Sequence, residues 1–150
     1  MTFLCSCTPE SKRNFETYTQ TEGHSREHRG EFLKAYETLV DATFEKNAVA
    51  AIAEISSKMR LAQKNRVDAL EALSIKEERL RQIHGNLLKA ERTIFNAIIA
   101  FEGLMKGDRI TDRQYRNYLS SLQEAITESE GYFVDYEAAL KDYEENNLNR

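Results

Sequence analysis

The chain has 150 residues, of which 41% are hydrophobic and 31% are charged, and its formal net charge is −4. It contains only six Gly and one Pro, and this scarcity of turn residues nearly excludes all-β and doubly wound α/β folds. No apolar run approaches the ~20 residues of a membrane span. We expect no nucleic-acid partner, because such binders usually carry a strong basic excess. The sequence therefore predicts one all-α domain.

The first 30 residues are predicted to form a polar N-terminal arm or tether, separate from a helical domain over 31–150. This arm contains the only proline, Pro9, and both cysteines. Thr8 and Pro9 fit the start of a short helix. Phe15 and Tyr18 would share one face of it.

The segment Leu4-Cys5-Ser6-Cys7 resembles a bacterial lipobox. The resemblance implies that Cys7 receives the lipid and that the protein lies in the bacterial cell envelope. A signal peptide also needs a basic region and an apolar stretch of about 7–15 residues, and only three residues precede Leu4. This alternative therefore requires a longer gene product. Otherwise we expect reduced cysteines in a cytoplasmic protein, with no membrane contact.

The two cysteines and a pair of histidines also suggest a zinc site. His24 and His28 are four residues apart, and Cys₂His₂ is a known structural zinc set. Only one residue separates Cys5 from Cys7, whereas structural zinc sites usually place two to four there. We therefore predict no metal and no cofactor. A metal- or ligand-binding helical bundle stays open as an alternative.

The middle segment contains no Pro and few Gly, and it predicts one helix over about 31–106. Its apolar residues follow a seven-residue repeat, which is typical of a supercoiled helix. A break near Asn65 is the alternative, and it would give a three-helix bundle. The first core column of the repeat reads Ile52, Met59, Arg66, Leu73, Leu80, Leu87, Ile94, Phe101, and a second column ends at Ala90, Ala97 and Leu104.

A turn is predicted over 107–111, followed by a second helix over about 112–146. Gly107 can end a helix, and Thr111 with Gln114 fits a capping box. The apolar columns of the two helices meet if each residue of the first helix faces the residue of the second whose number brings the sum of the two to about 220. The sequence thus predicts a long antiparallel helical hairpin that is coiled-coil-like.

This hairpin covers the first helix only from about Leu73 onward, so apolar residues upstream need another cover. Burying each such side chain is worth about 1.5–3 kcal/mol. We expect self-association into a homo-oligomer, or a helical protein partner, to bury them. The predicted interaction residues are Phe32, Tyr36, Val40, Phe44, Ile52, Ile55 and Met59.

Catalysis has little support in the sequence. The long helices contain no Glu-x-x-His pair of a di-iron bundle, and no Gly-rich phosphate loop or nucleophile elbow is present. The lone His84 is expected at the surface or edge of its helix, or beside a ligand pocket in the alternative reading. We therefore predict no catalytic residues and no enzyme. The expected function is that of a structural, scaffold or adaptor subunit acting through helix–helix contacts.

Overall fold

A computed structural model describes residues 10–42, 48–107 and 110–147, with the side chain of Ala48 left out. Within these ranges the chain is helical and contains no strand, as predicted. The predicted lipidation site Cys7, its neighbour Cys5 and the predicted interaction residue Phe44 lie outside the described residues. The helices are α1 (Glu10–His24), α2 (Arg26–Asp41), α3 (Ala48–Glu71), α4 (Glu78–Met105) and α5 (Asp112–Asn147).

The antiparallel hairpin predicted from the sequence is formed by α4 and α5. Its turn is closed by the predicted capping box. The amide N and Oγ1 of Thr111 both donate to Gln114 Oε1, at 2.9 and 3.0 Å. In return, the amide of Gln114 donates to Thr111 Oγ1 at 3.2 Å.

Contacts between α4 and α5 follow the predicted register. Tyr143 Oη donates to Glu77 Oε2, in the residue preceding α4, at 2.6 Å. Further along, Lys89 Nζ lies 4.3 Å from the centre of the Tyr132 ring. Both pairs have residue numbers that sum to about 220, as antiparallel coiled-coil packing of these columns requires.

The second core column of α4 differs from the prediction at its end. Leu104 was expected in the core but is 46% exposed, whereas Ile98 and Met105 are buried. The reason is that α4 packs against α3 as well as α5. His84 Nε2 lies 3.0 Å from the backbone oxygen of Leu70 in α3, and Ile98 and Met105 continue this same column.

The predicted single helix over 31–106 is wrong, and so is the alternative break near Asn65. Asn65 lies inside α3, and the described chain leaves the helical path at Ala42, after α2, and again at 72–77. Ser74 and the β-branched Ile75 in this connection have lower helix propensity than the neighbouring residues. The short connection lets α3 fold back along α4, which buries apolar surface that a straight helix would expose.

In the described ranges the bundle has four helical arms, because α1 and α2 form one bent arm. At the bend, both the amide and Oγ of Ser25 donate to the backbone oxygen of Glu22, at 3.0 and 2.6 Å. The predicted N-terminal helix thus continues into α2. It also contributes Tyr18 and Glu22 to the interior.

Two apolar clusters fill the bundle. At one end every arm contributes to the same cluster, and Tyr115 Oη donates to the backbone oxygen of Leu39 at 3.3 Å. This cluster is built mainly from Phe32, Leu39, Ile52, Met59, Ile94, Ile98, Phe101, Met105, Tyr115 and Leu122. The cluster at the other end contains Tyr18, Leu70, Leu80, Ile83, Leu87, Tyr136 and Tyr143.

This packing covers most of the residues that were expected to need a partner. Phe32, Ile52 and Met59 are buried inside the chain, and Tyr36 and Ile55 are half-buried against the first cluster. The expectation that a partner is needed to bury these five residues is therefore wrong, because α2 and α3 pack against each other and form the first cluster together with α4 and α5 of the same chain. Val40 alone among the described members of the set is exposed.

Candidate functional site

A layer of polar side chains lies between the two apolar clusters. The α1–α2 arm contributes Glu22 and Ser25, α3 contributes Gln63 and Arg66, and α4 contributes Glu91. All five are buried. Arg66 occupies the seven-residue column that carries Ile52 and Met59 before it. The layer therefore interrupts the apolar core at one level of the bundle.

Arg66 lies between two carboxylates. Its Nη2 donates to Glu22 Oε1 at 2.8 Å, and its Nε donates to Glu91 Oε1 at 3.1 Å. Its Nη1 donates to the backbone oxygen of Glu22 at 3.3 Å and also to Ser25 Oγ. Burying charges costs several kcal/mol per ion unless hydrogen bonds satisfy them, and this set of bonds satisfies Arg66.

Gln63 extends the layer toward the first cluster. Its Nε2 donates to Glu91 Oε2 at 2.7 Å and to the backbone oxygen of Glu91 at 2.9 Å. Its Oε1 is buried and has no hydrogen-bond partner among the described residues. Rotating the amide would not help, because both neighbouring oxygens are acceptors.

Glu22 is the acceptor that connects the layer to the surface. Burial alone would raise the pKa of Glu22, but the hydrogen bonds from Arg26 and Arg66 outweigh burial and hold the pKa below its usual value of 4.5. Arg26 Nη2 lies 2.8 Å from Glu22 Oε2, and the Arg26 side chain is largely exposed. Glu22 is therefore ionised at neutral pH.

A second polar chain crosses the interior one level away. Tyr18 Oη lies 3.2 Å from His84 Nδ1 and 3.1 Å from Tyr136 Oη. His84 is buried, which corrects the expectation of a surface position. Burial lowers the pKa of His84, so the ring is neutral at pH 7, and its Nε2 donates to the backbone oxygen of Leu70.

A cleft of about 410 Å³ leads from solvent to the charged layer, between the α1–α2 arm and α5. Its floor includes Arg66 and Leu87. Arg29 crosses the cleft and lies 3.8 Å from the centre of the Phe133 ring. The walls are completed by Glu22, Arg26, Gly30, Leu33, Tyr136 and Glu137.

Of the predicted metal candidates, the structure describes His24 and His28. His24 is exposed, and His28 Nδ1 lies 3.3 Å from Glu31 Oε2. Among the described residues, no group of three or more His, Cys, Asp or Glu side chains could hold a metal ion. Cys5 and Cys7 lie outside the described residues.

The sequence contained one signal for the charged layer. Arg66 stood out as a charge in an apolar column, but its partners were not assigned. Glu91 lies in the α4 column that also contains His84 and Ile98. This column packs against α3, and the sequence pattern does not assign it to the core. Glu22 belonged to the predicted polar arm, where a buried acid had no signal.

Comparisons with protein families, with characterised proteins and with solved structures find no significant match for the chain. None of the helices in the described ranges has the length and apolar character needed to span a membrane.

Proposed function

We propose that this protein is a non-enzymatic adaptor or scaffold module that binds another protein through helix–helix contacts. The outward face of α5 would be its contact surface. The observation that carries this proposal is Val134, which is 64% exposed and the most exposed large hydrophobic side chain of the described residues. Contiguous apolar patches with polar rims are typical of interaction sites, and Val134 would be the apolar centre of such a patch on α5.

Glu130 lies four residues before Val134 and Glu137 three residues after it, so the helical repeat places their carboxylates on the same face as Val134. The ion pairs within and onto α5 use Asp112, Asp142 and Glu145. In the described part of the chain, Glu130, Asp135 and Glu137 make no ion pair, which leaves their charge for a partner. A positively charged partner would be steered to this face and held in register.

The same charges argue against pairing of two α5 helices. Residues 117–147 carry eight acidic residues and only Lys141 as a basic one, so two copies would repel each other face to face. The proposed partner is therefore a helix of another protein with apolar and basic residues on one side. Light scattering across a hundredfold concentration range tests whether the chain also self-associates.

The experiment is a calorimetric titration of the full chain with a synthetic amphipathic helix of leucine and lysine. We expect saturable binding that weakens with added salt and falls about tenfold in Val134→Asp. The matched control is Ile99→Asp, which changes a 46% exposed apolar residue on α4. Equal binding by both variants, or equal binding of a leucine–glutamate helix, would contradict the proposal.

A further inference from the structure

The cleft between the α1–α2 arm and α5 has the size and depth of a small-molecule site. Its volume of about 410 Å³ falls in the range of about 300–1,000 Å³ that is typical of ligand pockets. Its floor reaches Arg66 and Leu87, both of which are almost fully buried. A ligand in this cleft would therefore contact the charged layer and the apolar core together.

The basic groups of the cleft differ in how firmly they are engaged. Arg26 and Arg66 each lie 2.8 Å from an oxygen of Glu22. Arg29 Nη1 lies 3.4 Å from Glu91 Oε1, beyond the about 2.7–2.9 Å of a charge-assisted hydrogen bond. That oxygen already accepts from Arg66 Nε at 3.1 Å. Arg29 is thus the least engaged of the three cations.

Charge counting gives the same result. The residues that line the cleft carry three guanidinium groups, those of Arg26, Arg29 and Arg66, and two carboxylates, those of Glu22 and Glu137. The lining therefore has one positive charge in excess. Glu91 lies outside the lining and accepts from Arg66 and Arg29.

Apolar side chains lie beside this surplus charge. Leu33 is exposed on the wall formed by α2, Phe133 lies under the Arg29 guanidinium on the α5 side, and Leu87 forms part of the floor. The guanidinium fork matches a carboxylate in two parallel hydrogen bonds. An anionic head and a short apolar body are therefore both accommodated.

We propose that this cleft binds a small monocarboxylate with a short apolar body, with its carboxylate on Arg29 and its body against Leu33, Leu87 and Phe133. Glu137 belongs both to the cleft lining and to the carboxylates near Val134, but Arg29, Leu33, Leu87 and Phe133, which would hold the ligand, are not part of the contact face proposed for α5. A free carboxylic acid and the C-terminal carboxylate of a peptide share this chemistry.

The test is a calorimetric titration of the full chain with sodium octanoate, with octanol and inorganic phosphate as comparison ligands. We expect saturable octanoate binding that is about tenfold weaker in Arg29→Gln, the size of a lost charged hydrogen bond. Arg116→Gln is the matched control, because Arg116 is an exposed arginine on α5 outside the cleft. Octanol should bind more weakly because it lacks the charge, and phosphate should do so because it lacks the apolar body.

A second variant keeps the test decisive if Arg29→Gln fails to fold. Glu137→Gln removes a negative charge from the lining, so octanoate should bind more tightly, an effect that a purely structural role of Glu137 would not give. A peptide ending in leucine distinguishes the two sources: tighter binding than octanoate assigns the site to a peptide C-terminus, and weaker binding assigns it to a free acid. Absence of saturable binding, or equal octanoate binding by the wild type and both variants, would overturn the proposal.

Discussion

Arg66 and Glu22 form a buried ion pair between α3 and α1, with 2.8 Å between Nη2 and Oε1 and with both side chains almost fully excluded from water. The pair belongs to a layer that separates two apolar clusters. Breaking a buried pair by removing one partner strongly destabilises a protein, because an uncompensated charge stays behind.

Arg66→Met is therefore expected to lower the free energy of unfolding by about 3–5 kcal/mol. Two acids, Glu22 and Glu91, would lose their principal cation. Urea denaturation followed by circular dichroism measures this loss. The control is Arg116→Met, which removes an exposed arginine and should change stability by no more than about 0.5 kcal/mol.

The triple variant Glu22→Leu, Arg66→Met, Glu91→Leu tests what the charged layer contributes. Well-packed apolar residues can replace a buried ion network at no cost in stability or even with a gain. We expect the triple variant to regain most of the stability lost in Arg66→Met. A triple variant as unstable as the single one would show that packing at this level, and not charge, holds the layer together.

Glu22 makes the stability of the bundle sensitive to acid. Its folded-state pKa lies below the usual 4.5 because the bonds from Arg26 and Arg66 outweigh burial. The unfolded chain therefore takes up this proton first, so the contribution of Glu22 is present above pH 4.5 and is lost as the pH falls through the folded pKa.

Urea denaturation between pH 7 and about pH 3 measures this dependence. We expect the loss of stability in acid to be smaller in Glu22→Gln than in the wild type. Glu54→Gln is the control, because Glu54 is fully exposed and pairs only with Lys58 on its own helix. If stability falls with pH at the same slope in the wild type and in Glu22→Gln, Glu22 is not the group responsible for the acid sensitivity.

His84 has a second pH effect, in a different window. Burial lowers its folded pKa below 6.5, so between the two values the unfolded chain binds more protons than the folded one. Its contribution is complete above pH 6.5 and decreases as the pH falls toward the folded pKa. His84→Gln should flatten the stability profile in this window. Tyr18→Phe keeps the titrating ring while removing a hydrogen bond, so it should lower stability and retain the slope.

The sequence was sufficient to predict the α4–α5 hairpin because its signals are local. Gly107, the Thr111–Gln114 box and two apolar columns in phase all lie in one continuous stretch. These features favour the same turn and the same register whatever the rest of the chain does. The observed contact of Tyr143 with Glu77 shows that this register reaches the far end of the hairpin.

The path of α3 and the buried site depended on distant contacts, and the sequence could not supply them. The stretch 60–66 is helical as its composition suggests, but the chain turns at 72–77, where the signal from Ser74 and Ile75 is weak. Whether the helix ends there depends on how much apolar surface α3 can bury by packing back against α4. Glu22 and Glu91 likewise become a site only through Arg66, which is 44 and 25 residues away.

The revised core of α4 predicts different costs for the same substitution at two positions. Leu87→Ala should lower the free energy of unfolding by about 2–5 kcal/mol, because Leu87 is almost fully buried. Leu104→Ala should cost far less, since Leu104 is 46% exposed. Chemical denaturation of the two variants compares them directly. An equal loss in the free energy of unfolding for both variants would mean that Leu104 is a core residue. This would contradict the column formed by Ile98 and Met105.

A substitution at Gly131 tests the stability of α5 and its proposed contact function separately. Gly131 lies within α5 with no positive φ, and a Cβ added there would meet nothing within 4 Å. Glycine inside a helix costs about 0.5–1 kcal/mol relative to alanine, so Gly131→Ala should raise the free energy of unfolding by about that amount. Gly103→Ala, in an equally open position on α4, is expected to stabilise the fold similarly.

The two alanine variants should differ in their affinity for a partner helix. Gly131 lies on the outward surface near Val134, where the missing Cβ lets another backbone approach closely. Calorimetric titration with the leucine–lysine helix should therefore show weaker binding by Gly131→Ala and unchanged binding by Gly103→Ala, although both variants are more stable than the wild type. If Gly131→Ala binds the helix as tightly as the wild type, close approach at this position has no part in recognition, and Val134 with its surrounding carboxylates must account for it.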